Sequence, residues 1–258
     1  MQKLKIIFFF NLILTLITIQ VQAVPTVPTV SSGIAPALNL RLFSDQGSFL
    51  LYSELAATSD TDQRTEKNFT LGTYYKLLPG IKIGAFYSRE YGLRHYADWA
   101  PTNGVWSWTQ TNARAEDFFI FDMTPRVQLN FLPTENWVAE LKARYEFNAF
   151  NHEQTLMLRP GLTYFWLRED EPFINFFLQY EADIALNYGV QTVAERWLYL
   201  GGLYHVCNSV DLGAYAALKW QNWGSPPAYI AKGVLPYNVG AESTVIGLLA
   251  ILHLPPGP

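Results

Sequence analysis

The chain has 258 residues and a formal net charge of −4, and aromatic and charged residues each make up 16% of it. Soluble domains carry about 25% charged residues, so this composition favours a protein whose outer surface faces lipid. The acidic balance argues against nucleic-acid binding, which calls for a basic surface. The single cysteine, Cys207, excludes an intrachain disulfide and a cysteine metal cluster.

The N-terminus has the three parts of a secretory signal peptide. Lys3 and Lys5 are positively charged, residues 6–19 are mostly apolar, and a small-residue cleavage site ends at Ala23. We predict a signal peptide over residues 1–23, whose removal takes away two lysines and changes the net charge from −4 to −6. The alternative is a permanent anchor, but a spanning helix needs about 20 apolar residues. Residues 24–36, rich in Pro, Thr and Ser, are predicted to form a flexible leader.

Two apolar segments follow the leader, the first with its apolar residues at even-numbered positions and the second with them at odd-numbered positions. Leu38 and Leu40 share one parity and Leu51 and Leu55 share the other, so a turn or bulge is expected near residues 44–47. This pattern leaves open whether residues 36–56 form a hairpin or one long, bulged strand. Farther along the chain, two alternating segments flank a Pro-Gly turn and predict a hairpin, at residues 69–77 and 81–91.

The clearest alternation lies in residues 137–150. Glu140, Lys142, Arg144 and Glu146 alternate with apolar residues such as Leu141, as expected for a strand with one charged and one apolar face. At about 14 residues the segment exceeds the usual strand length of about 5–6 residues. A tilted strand crosses a bilayer with about 9–11 residues, so the segment predicts a transmembrane strand.

Six further alternating segments are predicted to be strands: residues 116–131, 156–166, 174–186, 197–206, 212–222 and 245–254. Longer connections alternate with tight turns along most of the chain, as in bacterial outer-membrane barrels, which have even strand numbers. We predict an all-β, antiparallel up-and-down transmembrane β-barrel of ten strands over residues 37–254. Both termini are expected at the short-turn end, with a tail at 255–258. Twelve strands is the alternative, if residues 36–56 form a hairpin and another strand lies within 224–240.

Three segments of the second half, RPGLTYFW, QYE and ERWLYLGGLYH, resemble the later strands of outer-membrane barrel families. Over residues 37–254 the chain resembles a small Gram-negative outer-membrane β-barrel. The resemblance implies an outer-membrane location, contact with lipid and lipopolysaccharide, insertion by the barrel assembly machinery, and a monomer. A soluble β-sandwich or a periplasmic lipocalin-like barrel is the alternative, with the apolar face inward. Alternation alone does not separate these architectures.

With lipid outside, the polar faces of the strands are expected to line the lumen. The candidate lumen residues are Lys82, Glu90, Asp122, Arg126, Glu140, Lys142, Arg144, Glu146, Arg159, Glu181, Asp183 and Lys219. In one interpretation these charges pair across the lumen and close it, because buried charges need partners. In the other, the basic members line a channel for anionic solutes. We therefore expect a structural or narrow-pore barrel that passes small solutes, or alternatively a binding or adhesion barrel with a closed lumen.

The loop at residues 92–112 is rich in aromatic residues, and Trp99, Trp106 and Trp108 are its candidate binding residues, because tryptophan is enriched in binding hot spots. None of the four histidines stands two residues from a serine on one strand, and none has a histidine partner at metal-ligand spacing. The sequence therefore predicts no catalytic residue, no metal site and no cofactor.

Overall fold

The computed structural model describes residues 27–30, 34–59, 65–93, 99–102, 105–108, 115–132, 134, 136–189, 193–224, 230–233 and 238–255. The predicted signal peptide lies outside these residues. Two strands begin inside the predicted leader, at Val27 and Ile34. No helix in the described part of the chain is long and apolar enough to cross a membrane.

Fourteen strands make up the described structure. In chain order they are β1 (Val27–Val30), β2 (Ile34–Gln46), β3 (Phe49–Ser59), β4 (Thr65–Leu78), β5 (Ile81–Tyr91), β6 (Trp99–Thr102), β7 (Val105–Trp108), β8 (Ala115–Gln128), β9 (Trp137–Asn148), β10 (Gln154–Arg168), β11 (Glu171–Ala185), β12 (Val193–Cys207), β13 (Val210–Gly224) and β14 (Asn238–Leu254). The predicted all-β fold is confirmed.

Eleven of these strands, β2–β5 and β8–β14, form a closed barrel. Consecutive barrel strands pair antiparallel, and β14 closes the barrel by pairing in parallel with β2, from Thr244 opposite Ile34 to Leu254 opposite Ser44. The short strand β1 also pairs in parallel with β14. The predictions of ten or twelve strands are both wrong. Residues 34–59 form a hairpin that turns at Gly47, a residue with a φ of 73° that glycine adopts readily. This hairpin adds one strand to the ten that were predicted. The strand that the twelve-stranded alternative places within residues 224–240 does not join the barrel, because β13 pairs directly with β14, and the total is therefore eleven.

Because the number of strands is odd, the chain enters the barrel at one end and leaves it at the other. Because β2 and β14 run in the same direction, the start of β2 and the end of β14 lie at opposite ends of the barrel. The prediction that both termini share the short-turn end is therefore wrong. We call the end with the connections at 47–48, 79–80, 129–136, 169–170 and 208–209 the turn end. The other end, with the connections at 60–64, 92–114, 149–153, 186–192 and 225–237, is the loop end.

The barrel is apolar outside and polar inside. Large apolar side chains of many strands are exposed on the outer surface, among them Phe121 (56% exposed) and Leu200 (63%). Charged side chains such as those of Glu116, Glu181 and Lys219 are buried inside. A soluble sandwich or lipocalin-like barrel would show the reverse distribution.

Glycines on the inner wall keep the lumen wide. The ring of Phe86 lies over Gly72 and Gly84, and the ring of Tyr215 lies over Gly247, so close that a Cβ at any of these glycines would clash with it. Because glycine has no side chain, both rings can lie close against the wall. The lumen of this small barrel thus holds bulky aromatic residues and still contains open space.

Candidate functional site

The lumen is the candidate functional site. Its cavity has a volume of ≈ 1580 Å³ and is lined at the turn end by Glu169 and Asn208 and at the loop end by Glu153 and Tyr188. Eleven of the twelve candidate lumen residues line this cavity. The twelfth, Asp122, has an inaccessible side chain that contacts Lys142 and Arg144.

Most of the described ion pairs in the lumen run along the wall, between adjacent strands. Arg126 Nε lies 2.9 Å from Glu140 Oε2, and these residues are register partners on β8 and β9. Lys142 Nζ lies 3.3 Å from Asp122 Oδ2. Arg159 on β10 pairs with Glu181 on β11. Because side chains on one face of neighbouring strands lie side by side, these pairs satisfy their charges without crossing the lumen.

Some of the described contacts link side chains that are not on adjacent strands. Lys219 on β13 lies 3.4 Å from Glu195 on β12 and 3.9 Å from Glu66 on β4, which is on another part of the wall. Gln179 on β11 donates a 3.2 Å hydrogen bond to Glu140 on β9, over β10. Gly161 on β10 lies between them, where a Cβ would come within 3.2 Å of both side chains. Pairing across the lumen thus accounts for a minority of the described ion pairs.

Acidic side chains are concentrated near the loop end of the lumen. Six carboxylates lie near the loop ends of their strands: Glu66, Glu90, Glu116, Glu146, Asp183 and Glu195. Basic residues such as Arg41, Lys142 and Arg159 lie farther from the loop end, each in an ion pair with a carboxylate. Rings of charged side chains tune which ions enter a pore. The acidic residues near the loop end therefore give the lumen a means to discriminate between solutes by charge.

Two aromatic groups line opposite parts of the lumen. On β3, β4 and β5, the ring of Tyr74 packs 4.8 Å from Phe86 and 5.9 Å from Tyr52. On β12, Trp197 stacks on Tyr199 at 5.4 Å. The sequence did not single out these residues as site residues. Phe86 alternates in step with Lys82 on β5, and Trp197 and Tyr199 alternate in step with Glu195 on β12, so alternation could have indicated these three.

The loop end is held together by polar contacts between connections. Asn187 accepts a 2.8 Å hydrogen bond from the backbone of Gln154 and donates a 2.9 Å bond to the carbonyl of His152. The hydroxyl groups of Tyr188 and Thr155 lie 2.7 Å apart. Burial raises the pKa of the Tyr188 phenol. The connections after β9 and β11 thus form one bonded rim.

The candidate binding tryptophans lie on the hairpin formed by β6 and β7, within the connection after β5. Trp99 pairs with Trp108, and Trp106 pairs with Pro101. Alternate residues of a strand and their direct partners share a face, so this register places all three tryptophan positions on one face of the hairpin.

A cluster of His205, Asp211 and His253 at the turn end was missed by sequence reasoning. Asp211 Oδ1 lies 2.6 Å from His205 Nδ1, and Asp211 Oδ2 lies 2.9 Å from His253 Nε2. The spacing of the three residues along the sequence does not indicate the cluster, because they stand on three successive strands. The tight turn at residues 208–209 could have revealed the pairing of His205 with Asp211. Among the described residues, no group of three His, Cys, Asp or Glu side chains is arranged to hold a metal ion.

No protein-family model, curated protein or solved structure matches this chain.

Proposed function

We propose that this chain spans a lipid bilayer as a β-barrel whose lumen passes small solutes. The spanning role is supported by the apolar outer surface, because side chains such as Leu71, Phe121 and Leu248 would meet hydrocarbon instead of water. The barrel strands are 11 to 17 residues long, so each one has at least the about 9–11 residues that a tilted transmembrane strand needs.

Aromatic residues lie at the turn-end edge of the apolar outer surface. At the turn end, Phe173 packs 6.4 Å from Trp166 and 5.2 Å from Tyr204. Trp137 and Tyr164 pack 4.8 Å apart near the same end. Aromatic girdles of this kind flank the hydrocarbon band of transmembrane barrels.

Charged residues lie at the loop-end edge of the apolar outer surface. Arg89 and Asp117 form an exposed 3.2 Å ion pair on the outer face close to the loop end. Arg196 and Glu242 occupy outward-facing positions near the same end. Charges on the lipid face of a barrel are tolerated near the interface and destabilising at the bilayer midplane. The hydrocarbon band of the proposed barrel thus lies between these charges and the turn-end aromatic residues.

The predicted signal peptide favours export, so we place the proposed barrel in a bacterial outer membrane, as a monomer inserted by the assembly machinery and in contact with lipopolysaccharide. The eleven strands depart from the even numbers of bacterial single-chain barrels, whereas odd numbers occur in mitochondrial barrels. Membrane fractionation of cells that express the full chain tests this location. Recovery in the inner membrane or the soluble fraction would contradict it.

The observation that carries the pore function is that one cavity touches residues at both ends, from Glu169 to Glu153. Its walls are charged, and most of the described ion pairs lie along the wall instead of across the opening. Water and small solutes can occupy such a space without breaking the pairs. A binding barrel is the second candidate function, supported by the tryptophan positions on one face of the β6–β7 hairpin.

Planar-bilayer conductance of the refolded mature chain tests the pore. Discrete, salt-dependent current steps are expected, and Arg144→Glu should shift ion preference towards cations because Arg144 lines the lumen. Arg196→Glu is the matched control, since it makes the same charge change on the outer face. Protein that is inserted and rich in β-structure but electrically silent would contradict the pore and favour the binding barrel.

A further inference from the structure

The turn-end cluster holds one nearly buried carboxylate between two imidazole rings. Asp211 is 5% exposed, and its two oxygens lie 2.6 Å from His205 Nδ1 and 2.9 Å from His253 Nε2. All three residues line the lumen cavity. For both contacts to be hydrogen bonds to an ionised carboxylate, each of these ring nitrogens must carry a proton.

The two histidines differ in their surroundings. The side chain of His253 is 43% exposed, and its ring stacks on Phe43 at 5.9 Å with an interplanar angle of 16°. Phe43 is the register partner of His253 across the parallel junction of β14 and β2. The side chain of His205 is 25% exposed, and its Nε2 is buried with no hydrogen-bond partner in the described structure.

This difference determines which ring can accept a second proton. A proton on Nδ1 of His253 leaves the bond to Asp211 and the stacking on Phe43 in place. A proton on Nε2 of His205 would create a buried N–H without an acceptor, which is costly. His253 is therefore the proton-accepting residue of the cluster, and His205 is a positioning residue that orients Asp211.

Other ionisable groups near the cluster are either in ion pairs or at the turn-end rim. They include Arg41 of β2 with Glu54 of β3, Asp45 of β2 with Lys76 of β4, and the exposed thiol of Cys207 of β12. At the rim they also include Lys82 of β5, Arg168 of β10, Glu169, and Glu171 of β11. Imidazole is the side chain that ordinarily changes charge between about pH 5 and 8. The imidazoles of the cluster are therefore groups through which the charge of the turn-end mouth can change over this range.

We propose that His253 controls the charge of the turn-end mouth by binding a proton. With both rings neutral, the cluster carries the one negative charge of Asp211. Protonation of His253 cancels this charge, so the mouth becomes more favourable to anions on acidification. The consequence for ion passage rests on the proposed pore, whereas the protonation itself does not.

Two measurements on the full mature chain test this proposal separately. The first follows the imidazole signals of His253 by NMR in lipid nanodiscs between pH 8 and pH 5. The second measures the cation-to-anion permeability ratio from reversal potentials in planar bilayers over the same range. One charge at about 8 Å in a water-filled mouth changes this ratio by about twofold.

On acidification we expect the permeability ratio of the wild type to fall about twofold further than that of His253→Gln. His152→Gln is the matched control, because His152 lies in a loop-end connection, and it should respond like the wild type. His205→Gln, checked for retained β-structure, should keep a pH response. A full response in His253→Gln, or a His253 ring that does not titrate between pH 8 and pH 5, would overturn the proposal. A silent bilayer with a titrating His253 would overturn the pore and leave the protonation established.

Discussion

Arg144 and Asp122 are direct register partners on β9 and β8, and Arg144 Nη2 lies 3.6 Å from Asp122 Oδ2. The Asp122 carboxylate also lies 3.3 Å from Lys142 Nζ and accepts a 3.2 Å hydrogen bond from Tyr74. One inaccessible carboxylate therefore holds two cations and a phenol against the wall. This arrangement keeps the long basic side chains ordered along the side of the lumen.

Asp122→Asn should destabilise the barrel, because it leaves Lys142 and Arg144 partly buried without their shared counter-charge. We expect a loss of about 1–3 kcal/mol in the free energy of unfolding, limited by water in the lumen. Urea unfolding in lipid vesicles measures this loss. Asp45→Asn is the control, because it removes an ion pair with Lys76 that is exposed at the turn end and should change stability little. Equal effects of the two variants would contradict the structural role of Asp122.

Gly247→Ala should narrow the lumen. A Cβ at this position would clash with the ring of Tyr215, which must then move away from the wall into the open space. We expect a smaller single-channel conductance and a loss of about 1–3 kcal/mol in stability. Gly240→Ala on the same strand is the control, because its Cβ would meet no atom closer than 3.9 Å. Unchanged conductance and stability in Gly247→Ala would refute this packing.

The alternation of polar and apolar residues was sufficient to predict an all-β fold and to assign candidate lumen residues to one face of their strands. Glu140, Lys142 and Arg144 were assigned to one face by period two alone, and all three line the cavity. The strand count depended on whether the chain turns at Gly47, and a bulged strand fits the same pattern. The parallel junction of β2 with β14 joins segments from opposite ends of the barrel chain, so local sequence carries no signal for it. Contacts such as Lys219 with Glu66 arise only from the curvature of the closed barrel.

Neutralising the loop-end carboxylates should reduce the preference of the pore for cations. Glu66 and Glu146 line the cavity near the loop ends of β4 and β9. In the double variant Glu66→Gln, Glu146→Gln, the cation-to-anion permeability ratio should fall at least about twofold, because each lost charge weakens the attraction for cations at the mouth. Reversal potentials in a salt gradient measure this ratio.

Asp117→Asn is the control for that experiment, because Asp117 forms its ion pair with Arg89 on the outer face. It should leave the permeability ratio unchanged. A double variant that is no less cation-selective than wild type would show that these carboxylates do not set the charge preference of the mouth.

The parallel closure of the barrel can be tested by cross-linking its first and last strands. Leu38 on β2 and Leu248 on β14 are register partners on the outer face. Directly opposed residues of neighbouring strands lie close enough for a disulfide, which needs Cα atoms about 4.4–6.8 Å apart. In a Cys207→Ser background, Leu38→Cys with Leu248→Cys should therefore form a disulfide on mild oxidation. The product joins the two ends of the barrel chain and is detected as a gel-mobility shift that reductant reverses.

Leu38→Cys with Leu212→Cys is the matched control, because Leu212 also faces outward but stands on β13, with β14 between it and β2. This pair should remain reduced under the same conditions. An antiparallel closure, as the even-stranded alternatives require, would place Leu38 opposite a different part of β14. Efficient cross-linking of Leu38 to Leu248 but not to Leu212 therefore distinguishes the eleven-stranded barrel from a ten- or twelve-stranded one. The reverse result would rule out the parallel junction.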